Sequence, residues 1–143
     1  MSPNLLQAVD SLEKALEKDS TQTAKQLELA HCYEIMGRYP KAIIAYGKAW
    51  EVVKKSPDEL VRFADVLARS KGNHYAGKPK ALLKQALELD HQHVDALISY
   101  GTALLSERQQ TLAAEYWQKA HHLLDRGDPR YTELEKLLSG LSE

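Results

Sequence analysis

Apolar residues recur three and four positions apart along nearly the whole chain, and no stretch alternates over more than a few residues. That pattern predicts helices near 3–18, 23–36, 39–54, 57–70, 78–89, 94–107, 110–123 and 129–140. Local punctuation agrees with these limits. Ser56-Pro57-Asp58-Glu59 reads as an N-cap serine, a first-turn proline and the glutamate of a capping box. Thr23 with Gln26 has the same box spacing, while Ser2-Pro3 and Asp128-Pro129 read as a cap followed by a first-turn proline. Gly37, ahead of Tyr39-Pro40, reads as the stop of one helix and the turn into its partner.

The helices repeat. Ala15, Ala49, Ala86 and Ala120 are separated by 34, 37 and 34 residues, and Leu12, Tyr46, Leu83 and Trp117 precede them with the same spacings. Leu29-Ala30, Phe63-Ala64 and Tyr100-Gly101 recur at 34 and 37, followed by Tyr33, Leu67 and Leu104 in the same register. This pattern resembles the tetratricopeptide repeat (TPR), with a large apolar residue and a small one on the first helix and a small residue on the second. Small residues at these places let helices approach closely, and the larger ones fill the remaining volume. The resemblance implies an all-α TPR superhelix of three helix-turn-helix repeats, with an N-terminal half-repeat helix and a C-terminal capping helix. In a single domain spanning 1–143, the expected limits are 3–20 for the first helix, 23–56 for repeat 1, 57–93 for repeat 2, 94–127 for repeat 3 and 128–143 for the cap. Leu134, Leu137, Leu138 and Leu141 form a stripe able to cover the open end of the stack.

Composition narrows the class. The chain has 22 Leu and 17 Ala but only 11 Val, Ile and Phe together, a helical rather than a strand bias. The net charge of −1 removes the electrostatic case for nucleic acid, which needs a basic face. One cysteine, Cys32, excludes an internal disulfide and any multi-cysteine metal or redox motif. No apolar run approaches the roughly 18 residues of a membrane span, and no charged-then-apolar leader opens the chain. The chain therefore reads as neutral, with no membrane contact of its own.

Candidate chemistry is thin. Gly72 to Lys78 has the G-x-x-x-x-G-K spacing of a phosphate loop, but Pro79 replaces the Ser/Thr that would hold magnesium, and the preceding segment is helical. The repeat explains the segment better. Leu67 to Ala86 spans 19 residues where Tyr33 to Ala49 and Leu104 to Ala120 span 16, so three extra residues lengthen one loop near 71–79. Adjacent His121 and His122 point about 100° apart on a helix and do not chelate one ion easily, and a histidine in a last helical turn suits the helix dipole. No G-x-S-x-G element or c-type haem attachment motif is present. The reading is a protein that is not an enzyme, with no nucleotide, metal or cofactor of its own.

What remains is surface. In stacked helix pairs the first helix of each repeat lines the concave face. Groove positions lie two before, two after and five after the packing residue. They are Leu27, His31 and Glu34; Val61, Asp65 and Ala68; and Ile98, Thr102 and Leu105, with Arg62 and Arg69 flanking the middle set. An apolar floor with polar groups at intervals suits an extended or helical peptide. Chaperone-tail-binding members of the repeat family use a lysine/asparagine carboxylate clamp on this face. The matching places here hold Leu27, His31, Val61, Asp65, Ile98 and Thr102, so that clamp is absent.

A narrower resemblance lies in Ala81–Asp90, Val94–Gly101, Ala113–Ala120 and the leucine-rich end after Pro129. These stretches, the lengthened loop and Trp117 resemble the repeat domain of bacterial cytochrome c biogenesis proteins, the accessory subunits of haem lyase. That resemblance implies a non-catalytic domain that holds the C-terminal region of an apocytochrome c while a partner haem-lyase subunit attaches haem. It also implies a periplasmic portion of a membrane-anchored protein. A general repeat module in another assembly, such as secretion or pilus biogenesis, with a cytoplasmic setting, is the alternative.

Overall fold

The computed structural model describes residues 3–142, which form α1 (Pro3–Lys18), α2 (Thr23–Ile35), α3 (Tyr39–Lys48), α4 (Trp50–Val53), α5 (Pro57–Arg69), α6 (Lys78–Leu89), α7 (Val94–Ser106), α8 (Gln110–Leu123) and α9 (Pro129–Leu141). The pairs α2/α3, α5/α6 and α7/α8 pack most extensively, each as a helix-turn-helix. Successive pairs are joined by α3 on α5, α6 on α7 and α5 on α7, while α1 and α9 close the two ends on α2 and α8. The architecture is the all-helical superhelical stack that the period predicts.

One expected helix is divided. The segment from Tyr39 breaks at Ala49 (φ −94°, ψ 13°), where the N–H is shared between the carbonyls of Ala45 at 3.0 Å and Tyr46 at 3.1 Å. The turn is tightened there and the short α4 continues beyond it.

The caps hold in part. Ser56 accepts the Glu59 N–H at 3.3 Å and Asp128 accepts the Arg130 N–H at 2.9 Å, both as N-caps ahead of proline. The Ser56 box is only half formed, because the Ser56 N–H is already donated to the Val53 carbonyl at 3.1 Å. That leaves the Glu59 carboxylate free to pair elsewhere. The Thr23–Gln26 box does not form: Gln22 occupies the cap position without a side-chain bond, and Gln26 is buried. Gly37 adopts φ +72°, the left-handed turn expected of it. The Ser2 cap falls outside the described residues.

Two apolar clusters make the core. The larger joins α1 to the first two repeats around Tyr46, Phe63, Leu60 and Leu83, with Tyr46 stacked on Phe63 at 5.2 Å. The smaller comprises Leu97, Trp117, Ala120 and Leu134, and Leu87 packs against both. Ala30, Ala64, Ala49, Ala86 and Ala120 are all fully buried, so each repeat places its small residues in the contacts between helices. Leu134 is buried against the last repeat, and Leu137, Leu138 and Leu141 pack around it. The leucine stripe of α9 thus caps the stack as expected.

Candidate functional site

The first helices α2, α5 and α7 line up side by side, and polar pairs bridge each to the next. His31 Nε2–H donates to Glu59 Oε2 at 2.7 Å, using the carboxylate that the half-formed box leaves free. Arg62 Nε lies 3.5 Å from Glu34, which also accepts the Tyr46 hydroxyl at 2.6 Å. Burial, chiefly, and the bond to Glu34 push the Tyr46 hydroxyl pKa far up, so Tyr46 remains a donor.

Between α5 and α7 the same face opens into a cleft of about 470 Å³. Four of the expected groove residues meet there: Val61, Arg62, Asp65 and Ile98. Four others share the cleft without having been expected: Asp58, His93, Asp95 and Ser99. Val61 and Ile98 form the apolar part of its lining, and Asp65 joins the two walls by accepting from Ser99 Oγ at 3.4 Å.

The lengthened loop reaches this face. Gly72, Asn73 and Gly77 take φ of +69°, +68° and +78°, which fold the segment back across the end of α5. Tyr75 then donates its hydroxyl to Asp65 at 2.8 Å. Burial, with Asp65 beside it, raises the Tyr75 hydroxyl to about 12. Lys78, the lysine of the phosphate-loop spacing, sits instead 5.1 Å from the centre of the Phe63 ring.

His93 begins α7 as an N-cap. Its Nδ1 accepts the Ala96 N–H at 3.1 Å and its Nε2–H donates to Asp58 at 2.5 Å, a geometry that defines one neutral tautomer. At the far wall Arg130 of the cap helix holds Asp95 at 2.9 Å and Asp128 at 2.8 Å.

The other expected residues lie away from the cleft. Leu27 is half-buried against the larger cluster and Leu105 against the smaller, while Thr102 is exposed and donates its hydroxyl to the Ile98 carbonyl at 3.0 Å. His31 connects to α5 through its hydrogen bond to Glu59 and Glu34 through its ion pair with Arg62, and Arg69 is exposed at the end of α5. Ala68 requires a correction: it is fully buried and offers no groove surface. The cause is its size: a methyl group at this place is covered by the packing around α5, whereas the longer Glu34 and Leu105 at the same register stay half-buried.

Two of the unexpected residues carried a readable signal. Asp58 and Asp95 stand three residues before Val61 and Ile98, so extending the groove register one turn toward each helix start selects both. Ser99 lies beside Ile98, and the groove register does not select His93. Among the described residues, no three His, Cys, Asp or Glu side chains are grouped as metal ligands.

Stacked helical hairpins with an open face along their first helices define a tetratricopeptide-repeat domain. Residues 11–131 match the family described as the Cytochrome c-type biogenesis protein H TPR domain, and the chain belongs to that family. It is 26% identical over 125 residues to the formate-dependent nitrite reductase complex subunit NrfG of Escherichia coli O157:H7, covering 87% of this chain and 60% of that protein. It is 27% identical over 118 residues to the cytochrome c-type biogenesis protein CycH of Pseudomonas aeruginosa, covering 82% of this chain and 29% of that protein. The chain thus spans less than two thirds of either relative. Among solved structures, the TPR protein YrrB superposes with a TM-score of 0.79 at 20% identity, over 96% of this chain and 68% of that one, a likeness of fold.

Proposed function

We propose that this domain is a non-catalytic scaffold that holds the C-terminal region of an apocytochrome c in the groove of α2, α5 and α7 and presents it to a haem lyase. The observation that carries the reading is the cleft between α5 and α7, where half-buried Ile98 and the edge of the largely buried Val61 (5% exposed) give an apolar floor among polar side chains. Membership of the cytochrome c biogenesis family supports the choice of partner. On this reading the domain works in the periplasm as part of a membrane-anchored protein. No helix among the described residues is long and apolar enough to be that anchor.

A calorimetric titration with a peptide from the C-terminus of a c-type cytochrome tests it. The wild type should bind saturably, and Ile98→Arg, which puts a charge on the apolar lining, should weaken binding while a thermal melt reports whether the stack persists. Absence of saturable binding to the wild type contradicts the proposal.

A further inference from the structure

The charge of the α5–α7 cleft is uneven. Asp58, Asp65 and Asp95 stand around Val61 and Ile98. Of the neighbouring cations, Arg69 lies one turn along α5 with its charge acting on Asp65 but in no ion pair with it, and the others are turned to other partners. Arg62 pairs with Glu34, and Arg130 is held between Asp95 and Asp128. The His93 ring accepts at Nδ1 and is neutral in this geometry. Asp65 has hydroxyl partners, Tyr75 at 2.8 Å and Ser99 at 3.4 Å, and among the described residues no cation lies within ion-pair distance of it. Desolvation by burial raises its pKa from the ordinary 3.8, outweighing the opposing pull of Tyr75, Arg69 and Ser99.

We propose that this cleft takes a lysine or arginine side chain of the bound polypeptide, its aliphatic stem on Val61 and Ile98 and its charged end at Asp65. The inference rests on the groove reading above and adds the chemistry of the residue recognised. A basic side chain is half apolar and half cationic, and both parts find a complement here. An acidic side chain meets three carboxylates, and a wholly apolar one leaves Asp65 without a partner charge.

The test is an amide NMR titration of the whole chain with two amphipathic heptapeptides, one of leucine, alanine and lysine and one with glutamate at each lysine. The lysine peptide should shift the amides of 58–65 and 94–99 saturably, and the glutamate peptide should not. Asp65→Asn, which keeps the shape and the acceptor oxygen, should weaken the lysine peptide by about tenfold or more. The exposed Asp58→Asn should weaken it less, and added salt should weaken it further. Equal response to the two peptides, no saturable shift with the lysine peptide, or unchanged affinity in Asp65→Asn overturns the inference. So do shifts at these amides that depend on protein concentration alone, which would make a second copy of the chain the occupant. A lysine peptide that binds while the cytochrome peptide does not supports the cleft chemistry and overturns the apocytochrome reading.

Discussion

Gly101 of α7 lies against the Trp117 indole so closely that a methyl group has no room: an added Cβ would stand 2.5 Å from Cδ1 and nearer still to Nε1. The indole N–H donates to the Ile98 carbonyl at 3.0 Å, so the ring edge rests on the backbone of α7 beneath the cleft. The sizes across this contact are matched. Trp117 is the largest of the set Tyr46, Leu83 and Trp117, and it faces the smallest of Ala30, Ala64 and Gly101.

Gly101→Ala reverses the usual sign of its substitution. In a helix interior, alanine for glycine stabilises by roughly 0.5–1 kcal/mol, but overpacking costs about 1–3 kcal/mol. The variant should therefore unfold at lower urea than the wild type. In the Trp117→Leu background, which adopts the residue of the second repeat, the same change should lose its penalty.

Tyr75→Phe should leave Asp65 with one hydroxyl partner fewer and lower stability by about 0.5–1.5 kcal/mol, read by urea denaturation. Shortening the loop by three residues to the length of the other repeats should abolish the same contact. It should also break the Asn73 N–H bond to the Ala68 carbonyl, measurable as faster amide exchange at the end of α5.

Two aspartates give opposite pH signatures. The Arg130 side chain and N–H hold the Asp128 carboxyl at about 2, below its ordinary 3.8, so its contribution is present above 3.8 and is lost as pH falls through about 2. Burial raises Asp65, so the native state keeps that proton longer and stability falls as pH climbs from 3.8 through the raised value. Asp128→Asn should be less stable than the wild type at neutral pH, with the gap closing toward pH 2. Asp65→Asn should gain on the wild type as pH rises above 3.8. Urea midpoints measured across that range decide both.

Much of this molecule was legible because TPR packing is periodic. The small residues fall in two registers, Ala30 and Ala64 on first helices and Ala49, Ala86 and Ala120 on second helices, and all are buried. The helix ends were legible where a side chain bonds its own turn, as at Ser56 and Asp128. The failures come where a residue answers to a distant partner. Glu59 leaves its box for His31 and Tyr75 reaches back ten residues to Asp65, pairings that no local spacing announces. Ala68 fits the groove register but is fully buried, since a methyl group is too short to reach the surface where Glu34 and Leu105 do.

The end of the stack depends on α9. Leu134→Ala should cost about 2–5 kcal/mol, since its side chain is 1% exposed and fills the contact with Trp117 and Ala120. Because the repeats fold as nearest neighbours, amide exchange should accelerate most in α7 and α8 and least in α1 and α2.

The most direct measurement is the footprint of a C-terminal c-type cytochrome peptide on the amides and side-chain methyls of the whole chain. Binding in the groove should shift Leu27, Val61, Ile98 and the amide of Thr102, leaving the exposed Ile44, Leu112 and Leu123 unmoved. A footprint centred on those three exposed residues, or no footprint at all, would contradict a groove that holds the apocytochrome.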